Sequence, residues 1–377
     1  MSTPIYLDYN ATTPVDPHVL EAMLPWLRDG FGNPSSDHPQ GRRAKAAVDE
    51  ARAEVAALIG ARPEEIVFTG CATEANNLAI LGVARALADG RRQRLLYSAV
   101  EHPAVARPMA HLAEAGWRVE VIPVDETGRV DPDALRIGDD TALVSVMLAN
   151  NEVGTLQPIR AIADRAHDAG ALMHVDAAQA AGKIGVDLDA LGADLLTLAG
   201  HKFYAPKGVG ALYVRAGTPI SAIQFGAGHE GGLRPGTENV PHIVGMGEAA
   251  RLARLELATA SARIRVLRDV LHRRLGDAIP GLALNGHATE RLPNTLNISF
   301  PGVAGWRMLE AATAVAASTG SACHAGQHGA SGVLGAMGLS GERAAGAVRL
   351  SLGRFSTETE IHRAADILAA AWRSLAP

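Results

Sequence analysis

From Ile66 onward the chain alternates short apolar runs with longer amphipathic ones. The apolar runs are Ile66–Phe68, Leu95–Tyr97, Arg118–Ile122, Ala142–Leu148, Ala171–Val175, Asp194–Leu198 and Gly210–Val214. Several have no polar alternation, the pattern of strands covered on both faces. Between them, Ala44, Val48, Ala51, Val55 and Leu58 recur at helical spacing and stop at Gly60, a residue suited to a left-handed helix cap. The stretch from Ile159 to Ala169 reads the same way and stops at Gly170. Strands alternating with helices predict an α/β fold, a doubly wound and mainly parallel sheet.

After about residue 240 the pattern changes. Glu248 to Leu275 is one long helical stretch rich in Ala, Leu and Arg, with Gly276 as its expected end. Beyond it lie fewer strands, Thr295–Phe300 and Val348–Leu352, and a last helix near Ile361–Leu375. The expected organisation is a large α/β domain over 14–254 and a smaller α+β domain built from 1–13 and 255–377. No internal repeat or low-complexity tract interrupts it.

Composition narrows this picture. At roughly 150 residues per domain, 377 residues accommodate two or three domains. With 47% hydrophobic and 20% charged residues the chain is of globular type. A net charge of −5 provides no electrostatic footprint for nucleic acid. No run of about 18 apolar residues predicts a membrane span, and Met1-Ser2-Thr3-Pro4 lacks the features of a signal peptide, so a cytoplasmic setting is expected. Cys71 and Cys323 are the only cysteines, too few for a disulfide scaffold or a multi-thiolate metal site. If either acts, it acts alone as a nucleophile.

Ligands of open α/β sheets gather at the carboxyl ends of the strands. After Ile66–Phe68 comes Thr69-Gly70-Cys71-Ala72-Thr73, small residues opening a helix, as an anion cup requires. After Leu95–Tyr97, His102 stands at a helix mouth set by Pro103. Next come Asn150-Asn151-Glu152, then Asp176 through Gln179, then Gly200-His201-Lys202. Each motif alone is matched by an ordinary cap, turn or solvated side chain. In the second half, 318–329 is a small-residue loop around Cys323, whose glycines at 320, 326 and 329 suit an accessible, movable thiol. His324 and His328 invite a metal reading, but a further ligand at suitable spacing is missing. Together the strand-end residues match what pyridoxal 5′-phosphate needs: a phosphate cup, a flat partner for the ring, a carboxylate for its nitrogen and a lysine for its aldehyde. A nucleotide-binding dehydrogenase would instead need Gly-x-Gly-x-x-Gly after the first strand, and that spacing is absent.

The same motifs resemble those of the cysteine desulfurases and selenocysteine lyases, class V enzymes of the fold-type I pyridoxal-phosphate group. The resemblance runs nearly end to end. It includes Tyr6–Pro14, Gly32–Ser36, Arg234–Asn239, Gly320–Cys323 and Val348–Phe355. It implies that Lys202 bonds the cofactor's aldehyde and later moves protons. His102 stacks on the ring, Asp176 holds the pyridinium N–H, and Gln179 bonds the phenolic oxygen. Ala72, Thr73 and His201 hold the phosphate, with Thr237 reaching across from a second subunit. Asn151 contacts both cofactor and substrate, and Asn33 and Arg349 are further substrate contacts, Arg349 through a two-pronged grip on the carboxylate. Cys323, on a loop of about 319–332, takes sulfur from L-cysteine as a persulfide, leaving alanine, and passes it to an acceptor protein such as an iron–sulfur scaffold or a thiolation enzyme. A homodimer follows from the role of Thr237.

Three positions depart from the family pattern: Cys71 for a usual glycine, Ala199 for a common serine, and Pro103 where animal selenocysteine lyases carry aspartate. The last argues against strict selenium specificity. Arg234–Asn239 and Ala322-Cys323-His324 nonetheless resemble the selenocysteine lyases more, so release of selenium from L-selenocysteine is the alternative activity. A non-catalytic scaffold of the same fold is a remoter one, since it would not need Lys202, His102, Asp176 and Cys323 together.

Overall fold

The structure is a computed structural model that describes residues 4–88, 90–320 and 331–376. Its strands, in chain order, are β1 (Ile5–Tyr6), β2 (Ile66–Thr69), β3 (Arg94–Ser98), β4 (Arg118–Ile122), β5 (Thr141–Ser145), β6 (Leu172–Asp176), β7 (Leu195–Ala199), β8 (Gly210–Val214), β9 (Ala283–Asn285), β10 (Thr295–Ser299), β11 (Val315–Ala316) and β12 (Ala347–Ser351). Seven of them form one sheet in the order β2-β8-β7-β6-β5-β3-β4. From β7 to β4 all neighbours are parallel, while β8 runs antiparallel to both β7 and β2. The expected mainly parallel α/β sheet is present. Every residue of β2, β5 and β7 is buried, which is why these segments read as unbroken apolar runs.

Helices cover the sheet. The helix Pro39–Ile59 ends at Gly60, whose φ of 76° is the left-handed conformation expected of that glycine. The expected strand Ala142–Leu148 gives out after Ser145, although the N–H groups of Val146 and Leu148 still donate to the carbonyls of His174 and Asp176. The long helix differs more from its prediction. It spans Val240–Ala278, eight residues earlier than expected, and Gly276 lies inside it. Asn239 starts it, with a side-chain oxygen that accepts from the His242 N–H. A glycine near a helix end costs only about 1 kcal/mol, and burial of Leu275 and Ile279 in the apolar core carries the chain past it.

A three-stranded antiparallel sheet, β12-β10-β9, and a short parallel pair, β1-β11, make up the second region. Leu296, Ile298, Val348 and Leu350 pack there with Leu267, Leu271 and Leu368. The final helix, Glu358–Leu375, starts with a reciprocal cap between Thr357 and Glu360 and buries Ile361, Ala364, Ala365 and Leu368 at helical spacing. A separate apolar cluster under the large sheet runs from Val19 to Leu252, joined by Leu292. Among the described residues no helix is long and apolar enough to cross a membrane.

Candidate functional site

The strand-end motifs meet in one cavity of about 280 Å³ at the carboxyl ends of β2, β3, β5, β6 and β7. Ala72, Thr73, His102, Asn151, Asp176, Gln179, His201, Lys202 and Arg349 all line it. A roomier groove of about 840 Å³ lies elsewhere, between residues such as Lys45, Arg52, Glu65 and Glu230, and holds none of these groups.

The expected anion cup corresponds to the start of the helix Ala72–Ala86. Cys71 stands at its cap with extended backbone and no side-chain cap bond. The first N–H groups of a helix lack intrahelical acceptors and carry the positive end of its dipole. Gly210 of β8 explains the close seating of this turn: a Cβ there would come within 2.7 Å of the Cys71 carbonyl carbon and 2.9 Å of the Ala72 nitrogen. Glu74, in the same first turn, is turned away by bonds from the Gly70 N–H and the Arg234 guanidinium. His201 lines the same cavity, with Nδ1 3.1 Å from Thr12 Oγ1. Its pKa is pushed down to about 4, first by burial and then by the ammonium groups of Lys202, Lys207 and Lys183.

Asp176 closes β6 and is 5% exposed. Its carboxylate accepts from Asn76 Nδ2 at 2.8 Å and from the Ala178 N–H at 2.9 Å. His102 is the cap of the helix Pro103–Glu114, and its Nδ1 accepts from the Ala104 N–H at 3.1 Å. Nδ1 is therefore the unprotonated nitrogen. Burial lowers the His102 pKa, partly opposed by Asp176, so a neutral flat ring faces the cavity. Lys202 follows β7 in a tight turn, and Nζ donates to the carbonyls of Asn10 and Ala11 at 2.6 and 2.8 Å. Gln179 donates from Nε2 to the Asn10 carbonyl at 2.9 Å.

Asn150 shapes the loop that presents Asn151. Its Oδ1 accepts from the N–H groups of Glu152 and Val153, and its Nδ2 donates to the Val100 carbonyl. Arg349, on β12, is 2% exposed. Its Nη2 donates to Asp8 at 2.7 Å and its Nη1 to the Asn151 carbonyl at 3.0 Å, while Nε has no partner among the described residues.

Two predicted site residues lie apart from this cavity. Asn33 is exposed, and its side chain accepts from the Ser35 N–H. Thr237 is exposed in the segment before the long helix. Cys323 lies outside the described residues. Four residues that the sequence reading did not assign belong to the site. Asn76, one helical turn beyond Ala72, holds Asp176. Asn10 supplies the carbonyl under Lys202 and Gln179. Asp8 anchors Arg349. Glu101, next to the predicted His102, turns one oxygen to Ser98 Oγ and the Met147 N–H, and burial raises its pKa to about 8. The signal for Asn76 and Glu101 was a polar side chain one turn from, or adjacent to, a predicted motif, whereas Asn10 and Asp8 act through partners distant in sequence.

The residues fit pyridoxal phosphate. Three buried polar atoms from cavity-lining residues lack partners: Asn76 Oδ1, Glu101 Oε2 and Arg349 Nε. Such atoms are costly unless an occupant satisfies them. The lining supplies the group types the cofactor needs: N–H groups and an imidazole for a phosphate, a carboxylate for a ring nitrogen, and a lysine and an amide.

A sequence profile of the family described as "Aminotransferase class-V" matches residues 5–364. The cysteine desulfurase IscS of Dictyoglomus turgidum is 44% identical over 98% of this chain and 94% of its own length. A solved structure described as a NifS-like protein superposes with a TM-score of 0.92 at 37% identity, covering 98% of this chain and 99% of the other. Another, described as SspA in complex with cysteine, has a TM-score of 0.81 at 34% identity and covers 93% and 99%.

Proposed function

The chain belongs to the class-V aminotransferase family and is a cysteine desulfurase, and from that premise we propose how its own residues bind the cofactor and substrate and carry the sulfur. The observation that carries this reading is the convergence of Lys202, His102, Asp176 and Gln179 on one cavity. The named relatives favour desulfurase over selenocysteine lyase.

When bound, pyridoxal phosphate supplies an electron sink conjugated to the amino acid's α-carbon. Ala72, Thr73 and His201 hold its phosphate through N–H and hydroxyl donors, and Thr237 of a second subunit adds another. Asp176 accepts the ring N–H and keeps the nitrogen protonated. Asn76 limits the freedom of that carboxylate. His102 covers the ring with a neutral imidazole. Lys202 Nζ would hold the cofactor through its aldehyde and would move a proton at the substrate's α-carbon, with the Asn10 and Ala11 carbonyls as its resting partners. Arg349 takes the substrate carboxylate, beside Asn151.

The Cys323 thiolate then attacks the substrate sulfur. The C–S bond of L-cysteine breaks, an S–S bond forms on Cys323, and the carbon takes up a proton. The products are L-alanine and a Cys323 persulfide, so no external oxidant enters. An acceptor protein collects the persulfide sulfur. We assign 14–254 to the cofactor-binding domain and 1–13 with 255–377 to the smaller one, a division supported by their separate apolar clusters.

The test is direct. The purified protein should carry the visible band of bound pyridoxal and release alanine and sulfide from L-cysteine with dithiothreitol. Lys202→Ala should be colourless. Cys323→Ala should keep the colour and lose sulfide release. An unchanged spectrum in Lys202→Ala, or full turnover in Cys323→Ala, would overturn the assignment.

A further inference from the structure

Lys183 has no part in the roles assigned above, yet it is tied to the site. It does not line the cofactor cavity. Its Nζ donates to Gln179 Oε1 at 2.6 Å and to Asn10 Oδ1 at 3.2 Å. The turn that carries it is fixed against the residue after Lys202. Gly182 has a φ of 73°, and a Cβ there would sit 2.6 Å from Phe203 Cβ. Desolvation of the half-buried side chain, and then the charges of Lys202 and Arg349, hold its amine well below the ordinary lysine range.

The bonds of Gln179 are ordered by what its neighbours can do. The Asn10 carbonyl only accepts, so the amide nitrogen points to it. The amide oxygen is then held by Lys183, and the second N–H of Nε2 is left for the cavity that Gln179 lines. Asn10 is held from the same amine. Its Oδ1 meets Lys183, while its carbonyl accepts from both Lys202 and Gln179.

We propose that Lys183 is a positioning residue that locks the Gln179 amide, by a bond to Oε1, with an N–H facing the cofactor's phenolic oxygen. The inference rests on the pyridoxal reading of the cavity. A donor held at that oxygen favours its ionised form. Removing the clamp disfavours that form.

In the holoenzyme, Lys183→Met should raise the pH midpoint of the bound cofactor's visible absorbance change by about one unit. Gln179→Leu should raise it similarly. In the Gln179→Leu background, Lys183→Met should add less than half of its own single effect, because the group it acts through is gone. Lys183→Arg, which keeps a donor, should return most of the wild-type midpoint, and covers the case in which Lys183→Met fails to fold. A midpoint unmoved by Lys183→Met, or single effects that add in full, would overturn the proposal. A wild-type protein without the visible band would instead overturn the pyridoxal reading itself.

Discussion

The two sheets serve the site in opposite ways. The seven-stranded sheet is buried in its central strands and contributes its site residues where those strands end. In β5 and β7 all residues are buried, and the groups that matter come after them, at Asn151 and Lys202. The three-stranded sheet contributes a face. Leu296, Ile298, Val348 and Leu350 pack into the apolar core, while Thr295, Asn297, Ser299, Arg349 and Ser351 alternate with them and are no more than 4% exposed. Such alternation ordinarily marks one solvated face. Here the polar face is buried, and buried polar groups need partners. They find them in segments that lead to the cavity. Asn10 Nδ2 donates to Thr295 Oγ1 at 2.8 Å, its N–H donates to Ser351 Oγ at 3.0 Å, and Asn297 Nδ2 donates to the Glu152 carbonyl at 3.1 Å. A polar stripe on an otherwise buried strand is thus a signature of a site assembled across a face.

If that contrast is right, Arg349 is the functional point of the polar face and its neighbours are its frame. Arg349→Gln should lower kcat/KM for L-cysteine about 100-fold, chiefly through KM, as expected for about 3 kcal/mol of lost charge pairing. Steady-state kinetics beside a thermal melt would decide. A large loss of stability with KM unchanged would make Arg349 part of the frame as well. Asn297→Leu should do the reverse, leaving KM near wild type and costing about 2 kcal/mol in urea unfolding, because it strips partners from the Glu152 carbonyl and from Asn285 Nδ2. An equal effect on KM would blur the division within that face.

The smallest effect belongs to the strand-end side. Burial raises the Glu101 pKa to about 8 from its ordinary 4.5. Between those values the folded protein keeps a proton that the unfolded chain releases, so this group's contribution to stability is full below 4.5 and lost as pH rises towards 8. Glu101→Gln should remove up to about 1.4 kcal/mol per pH unit of this downward slope. His174, pushed down to about 4 by burial, acts in the opposite direction below its ordinary value and remains in both proteins. Denaturant midpoints of the two proteins at pH 6 and 7.5 give the difference, and parallel profiles would show Glu101 to be ionised.

Much of this was legible before any fold was known. Strand ends could be found from apolar runs, so His102, Asp176 and Lys202 could be named as a set by their shared position after strands. Gly60 marked a helix end because a left-handed cap is a local requirement. Gly276 misled for the complementary reason: a glycine near a helix end is only weakly unfavourable, and the packing of Leu275 and Ile279 overrode it. Asn10 left no local signal, since its importance rests on distant partners at Lys202 and Lys183, 192 and 173 positions away.

The sequence by itself determined the order of elements, the buried strands and the chemical types available at their ends, because periodicity and turn chemistry are short-range properties. Only the tertiary structure decided which carbonyls receive Lys202, that Asn76 holds Asp176, that Asp8 occupies one arm of Arg349, and that the polar face of β10 and β12 is buried. Those outcomes depend on which distant backbone and side-chain groups share one desolvated volume, and the pattern of a single segment carries no measure of that.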